Sequence, residues 1–242
     1  MKRVSTIPAS MERNSNGAAP ALSIDVFFDF VCPWCLIGSR QLKAAMSRFA
    51  DLRADVKVGV RWRSCELLPE TPAGGVDYQA FYLARLGSAE NVAARRRQVR
   101  EAGKSAGIDF RFERIGVLPN TAVAHALVAF AGDAGTGALQ ADLIESLFTA
   151  YFMEGEDIGD LAVLEERAVE CGMERGSVRE HLAGWYGRFH RAMDRRSQKP
   201  SHPIGGVPLF VFDESFAVSG AASAETLLDA MLRSVRDRRQ SA

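Results

Sequence analysis

The spacing of apolar positions changes period twice within the first seventy residues. Ile24 to Val31 is an apolar run broken only by Asp25 and Asp29, which predicts a buried strand. Cys32-Pro33-Trp34-Cys35 follows. Leu42, Ala45, Met46 and Phe49 then fall at helical spacing on one face, and Pro33 suits the first turn of that helix, where no N–H is needed. Val56, Val58, Val60 and Trp62 alternate with Lys57, Gly59, Arg61 and Arg63, which predicts a second strand. The order so far is strand, helix, strand.

Pro69, Pro72, Gly74 and Gly75 mark a loop. From Asp77 to about Arg195 the chain reads as helix. One apolar stripe runs through Leu143, Ile144, Leu147, Phe148 and Tyr151. A second runs through Leu161, Leu164, Ala168 and Cys171, and a third through Val178, Leu182, Trp185 and Phe189. Asn120, Asp160 and Ser177 are the expected N-caps. The β pattern returns at Leu209 to Phe212, turns at Asp213-Glu214 and resumes at Phe216 to Val218. Ala224, Leu227, Leu228, Met231, Leu232 and Val235 then give a final helix, capped by Ser223.

The chain therefore reads βαβ, a helical block, then ββα. Neither β-containing end is large enough to bury a core alone, so the two are expected to share one sheet. Residues 22–66 and 200–242 form one α/β domain in this reading. Residues 67–199 form an all-helical insertion, and residues 1–21 a polar, disordered leader.

Length and composition narrow the function. The chain has 242 residues, enough for a core without disulfide staples, and its four cysteines are too few for a disulfide-rich scaffold. Lysine plus arginine and aspartate plus glutamate both count 30, which argues against a nucleic-acid binder or a basic membrane-surface protein. No apolar stretch reaches the ~18 residues of a membrane span, and none follows Lys2 and Arg3 as in a signal peptide. The cytoplasm is the expected compartment.

A Cys-x-x-Cys at a strand-to-helix junction carries redox chemistry. A cysteine at a helix N-terminus faces unpaired backbone N–H groups and the positive end of the helix dipole, so the Cys32 thiol should ionise readily. Cys35 lies one turn on, on the same face, and can reach the Cys32 sulfur. Cys32 is the expected attacking thiol and Cys35 the resolving one, with Pro33 and Trp34 tuning acidity and access. The same cysteines could be half of a zinc site. However, Cys65 and Cys171 stand alone, and His125, His181, His190 and His202 lack the ligand spacing, so no metal is expected. Cys65 and Cys171 read as buried small hydrophobes.

With these residues the chain resembles the DsbA-like branch of the thioredoxin superfamily, and more narrowly the FrnE-type dithiol–disulfide oxidoreductases and isomerases. The resemblance spans about residues 23–235. It rests on Asp29 to Gly38 around the Cys-Pro-Trp-Cys motif, on Trp62-Arg63, on Pro119-Asn120-Thr121 with His125, on Gly206-Val207-Pro208 and on Val218 to Ala221. It implies a thioredoxin fold carrying a helical insertion, a cis Pro208 beside the motif, and Val207 offering backbone groups to an extended substrate. His125 and Asn120 are implied near the substrate. The implied partner is a thiol or disulfide substrate, whether protein, peptide or glutathione, with the Cys32–Cys35 disulfide as the only redox group and no added cofactor. Leu36 and Ala222 stand where an aromatic residue and a glutamine are common, which bears on substrate preference. Two alternatives remain. Kappa-class glutathione transferases and hydroxychromene-carboxylate isomerases share the insertion but carry serine in the motif. A non-catalytic chaperone would use the Val207-Pro208 turn to dock extended chains.

Overall fold

The computed structural model describes residues 22–135, 137–193 and 205–241. The expected leader and the expected domain boundary near residue 200 lie outside them. A four-stranded sheet is built from both ends of the chain. Strand β1 (Leu22–Phe28) leads through helix α1 (Pro33–Leu52) to β2 (Val58–Ser64), and β5 (Leu209–Phe212) turns into β6 (Phe216–Ser219) before helix α8 (Ala224–Ser241). The strand order is β2-β1-β5-β6. β1 pairs parallel with β2, as a helical crossover requires, and antiparallel with β5. The two ends of the chain thus share one sheet, and the fold is the DsbA-like thioredoxin fold.

Between β2 and β5 lie α2 (Tyr78–Leu86), α3 (Ala89–Lys104), α4 (Ala122–Ala134), α5 (Gly137–Thr149), a π-helical turn (Ala150–Glu154), α6 (Leu161–Glu170) and α7 (Arg175–Met193). The insertion is helical except for a two-residue ladder between β3 (Val76–Asp77) and β4 (Val117–Leu118). That ladder is too short for any periodic signal in the sequence.

Period two along β1 turns Leu22, Ile24 and Val26 to one face, where they meet Phe210 and Phe212 of β5, Leu42, Ala45 and Phe49 of α1, and Leu227 and Met231 of α8. The larger core begins where β1 ends. Phe28, Phe30, Val31, Leu36 and Ile37 pack onto Leu127, Ile144, Leu147, Phe148 and Phe152 of the insertion. The cysteine motif therefore sits at the seam between sheet and insertion.

Several local expectations are corrected. β1 ends at Phe28 rather than Val31, because the Asp29 carbonyl accepts the Cys32 N–H at 3.2 Å and turns the chain. β2 starts at Val58, two residues later than the alternation suggested. Helix α7 is capped by Glu174, whose carboxylate accepts the N–H groups of Gly176 and Ser177 at 2.7 and 2.6 Å; Ser177 lies inside the helix. Cys171 is only half-buried, since it ends α6 where the helix leaves the core. Asp160 and Ser223 cap as expected, accepting the N–H groups of Ala162 and Thr226. Asp213 and Glu214 form the expected tight turn, both at positive φ (48° and 56°).

Candidate active site

Cys32 is the N-cap of α1, extended at φ −96° and ψ 107°, with Pro33 in the first turn. No side chain caps this end, so its backbone N–H groups are left to the Cys32 sulfur. Cys35 follows one turn later, its N–H bonded to the Cys32 carbonyl at 3.0 Å. Both thiols are free and buried, Cys35 more deeply at 2% exposure against 6%. The Cys35 thiol and the N–H groups of Cys35 and Trp34 stabilise a thiolate at Cys32. They hold its pKa below the ordinary value, against burial and the negative charge of Asp29. Burial pushes Cys35 well up, reinforced by its bond to the Cys32 sulfur. The two thiols are split in the order that attack by one and resolution by the other requires.

Across the sheet, the Val207–Pro208 peptide bond is cis. The Val207 carbonyl oxygen lies 3.7 Å from the Cys32 sulfur and accepts its thiol. The Pro208 carbonyl is engaged by the Gly220 N–H at 2.8 Å, which fixes this loop to the end of β6. Gly38 lets α1 approach it: a Cβ at position 38 would stand 3.0 Å from both Pro208 Cγ and Phe210 Cζ.

His125 and Asn120, expected beside the substrate, are both buried. Asn120 is 3% exposed. Its amide donates to the Thr71 carbonyl at 2.7 Å and its oxygen accepts the Ala122 N–H, so it ties the Pro69–Thr71 loop to the start of α4. His125 is wedged against Phe28 and Phe30, with its Nε2 3.2 Å from Asp29 Oδ1. Asp29 is fully buried and accepts the Leu67 N–H on its other oxygen at 2.7 Å. The sequence reading took Asp29 as a break in a strand and as the first residue of the Asp29 to Gly38 resemblance, and gave it no role of its own. The signal was its acidic side chain in an apolar run three residues before Cys32.

Asp25 is the second acid in that run, and it has a structural role. It is opposite Arg61 in the β1–β2 register and takes contacts from Arg61 Nε at 2.9 Å and Arg63 Nε at 2.7 Å. Cys65 is buried next to the site, and its thiol is pushed up by burial and by the Asp29 charge. Among the described residues, no three His, Cys, Asp or Glu side chains gather as a metal site would need, and no helix is long and apolar enough to cross a membrane.

A cavity of about 480 Å³ opens over Cys32, Pro33 and Trp34. Its walls come largely from α2 and α3, with Leu67, Tyr78, Tyr82 and Val99 among the lining residues.

A dithiol at the N-terminus of a helix, facing a cis-proline loop in a thioredoxin fold, defines a thiol–disulfide class of site. The chain matches the DSBA-like thioredoxin domain over residues 23–232 and belongs to that family. It is 25% identical over 205 residues to YwbO, an uncharacterized protein of Bacillus subtilis, covering 84% of this chain and 92% of that one. A probable DsbA oxidoreductase, SCO1869 from Streptomyces coelicolor, superposes with a TM-score of 0.72 at 25% identity, over 88% of this chain and 89% of that one. A 2-hydroxychromene-2-carboxylate isomerase shares the fold at a TM-score of 0.58 and 17% identity, over 91% and 99% of the two chains.

Proposed function

We propose that this protein exchanges disulfides with small or peptide substrates through Cys32 and Cys35. The observation that carries this reading is the split between the two thiols: Cys32 held below its ordinary pKa at the helix N-cap, Cys35 pushed well above it one turn away. The Cys32 thiolate attacks one sulfur of a substrate disulfide. The substrate S–S bond breaks, and the departing half leaves as a thiolate that takes up a proton. Cys35 then loses its proton and attacks the Cys32 sulfur, releasing the second half as a thiol. Two electrons have passed from the dithiol to the substrate, and the Cys32–Cys35 disulfide remains.

The same steps in reverse oxidise a dithiol, and escape before resolution permits isomerisation. The potential of the pair against its compartment sets the direction. In the cytoplasm, the compartment proposed here, that direction is reduction of substrate. Val207 supplies the backbone against which an extended substrate lies, and Trp34, in the lining of the cavity over Cys32, tunes access to the sulfur. No step draws on a metal or an organic cofactor.

The test is Cys35→Ser. Without the resolving thiol, a mixed disulfide at Cys32 should accumulate on incubation with a disulfide substrate and appear by mass spectrometry under non-reducing conditions. Absence of any adduct at Cys32 overturns the assignment of roles. The isomerase-type reading, with a non-covalently held thiol, would instead keep its activity in Cys32→Ala.

A further inference from the structure

The cavity over Cys32 is lined by three guanidinium groups, Arg85 at the end of α2 and Arg95 and Arg96 on α3, and by no aspartate or glutamate. None of the three pairs with a carboxylate among the described residues. Arg95 lies over the Trp34 ring at 5.4 Å and donates to Gln98 at 2.7 Å. Arg96 donates to Gln79 at 2.6 Å and lies over Tyr78 at 5.4 Å. Arg85 lies over Phe81 at 5.8 Å. Many arginines elsewhere do meet carboxylates: Arg167 meets Glu154 and Glu156, Arg175 and Arg179 both meet Glu165, and Arg61 and Arg63 both meet Asp25. In a chain with equal numbers of acids and bases, an all-cationic cavity at the reactive sulfur is a local feature.

We propose that this cavity holds the anionic half of a small disulfide bearing carboxylates, with Arg85, Arg95 and Arg96 as its counter-charges. The inference rests on the dithiol reading and specifies its substrate. Low-dielectric walls strengthen the field of the three groups inside a concavity, and guanidinium forks match carboxylates in geometry. Tyr78, Tyr82, Val99 and Phe112 supply the apolar and hydroxyl surface for the rest of that half. At about 480 Å³ the cavity is within the range of small-molecule sites, which favours a small disulfide over a folded protein. The chemistry is the balanced exchange given above, with the carboxylate-bearing half retained on Cys32 until Cys35 releases it.

Two measurements separate this inference from the reading beneath it. The first needs no redox step: calorimetric binding of S-methylglutathione, an unreactive anionic thioether, to the reduced full-length protein. Binding should weaken by roughly tenfold in Arg95→Gln and again in Arg85→Gln/Arg95→Gln, and should weaken with added salt. Arg97→Gln, on the same helix but outside this cavity, should keep the wild-type affinity. The second is single-turnover oxidation of the reduced protein by glutathione disulfide, hydroxyethyl disulfide or cystamine, each normalised to its rate with dithiothreitol. The anionic disulfide should lead the cationic one by tenfold or more, and the lead should collapse in the double variant. Turnover without charge preference, or S-methylglutathione binding that is absent or insensitive to Arg85 and Arg95, overturns the inference and leaves the dithiol reading standing. Salt-sensitive binding with no oxidation of Cys32 and Cys35 upholds the cationic cavity and overturns the dithiol reading.

Discussion

The Cys32 sulfur lies 3.7 Å from the carbonyl oxygen of Val207, a residue 175 positions further along the chain. β1 and β5 are neighbours in the sheet, so the motif at the end of one meets the loop that opens the other. The reactive sulfur has the helix N-terminus on one side and a backbone edge on the other. A substrate disulfide extended along that edge would present its sulfur to the thiolate.

The thiol split predicts reactivity as a function of pH. Thiolate is the nucleophile, so alkylation of Cys32 by iodoacetamide should rise with pH through a midpoint below that of a free cysteine and then level off. Cys35 should react only at much higher pH, because both burial and its bond to Cys32 oppose its ionisation. Peptide mapping after alkylation at a series of pH values separates the two. Equal midpoints would contradict the assigned roles.

Gly38 predicts a steric effect on the site. Gly38→Ala places a Cβ 3.0 Å from the rings of Pro208 and Phe210, neither of which is the far end of a flexible chain. The helix or the loop must shift, at a cost of about 1–3 kcal/mol. Urea unfolding should show the loss. Disulfide exchange should slow as well, since the shifted loop carries Val207. An unchanged unfolding midpoint would mean that the approach of α1 to this loop is looser than described.

Asp29 combines an electrostatic and a structural role. Its negative charge raises both motif thiols, so Asp29→Asn should move the Cys32 alkylation curve to lower pH. Asp29→Ala leaves the Leu67 N–H without its carboxylate and removes the partner of His125, which should cost about 2–3 kcal/mol in urea unfolding. A curve that moves to higher pH in Asp29→Asn would show that the carboxylate aids the thiolate rather than opposing it.

How much of this was legible in sequence follows from the range of each interaction. The strand–Cys-x-x-Cys–helix junction and the closing ββα unit are set by local periodicity, and both are present. The shared sheet followed from the need to bury a core. The pairing of Asp29 with His125, 96 residues away, and of Asp25 with two arginines on β2 depends on tertiary contact and leaves no periodic trace. For the same reason Asn120 and His125 could be placed near the motif but not oriented, and both turn inward. The cationic cavity was hidden in the same way. Arg95 and Arg96 come together with Arg85 over Cys32 only once α2 and α3 are packed there, which no local pattern records.

The aromatic contact between sheet and insertion predicts where stability is concentrated. Phe148 is fully buried, with ring centroids 5.0 Å from Phe30 and 6.0 Å from Phe28. Phe148→Ala should destabilise the fold by about 3–5 kcal/mol, read from the shift in denaturant midpoint at constant slope. A loss under about 1 kcal/mol would show that the insertion contributes little to the stability of the sheet.

The central claim is that Cys32 and Cys35 cycle as one two-electron couple. Equilibration of the wild-type protein across a series of glutathione redox buffers, followed by acid quench, alkylation and peptide mapping, tests it directly. The account predicts a single reversible transition in which these two thiols disappear together into an intramolecular disulfide while Cys65 and Cys171 stay alkylatable after unfolding. A pair that remains dithiol at every oxidising poise, or that forms its disulfide with Cys65 instead, would contradict it.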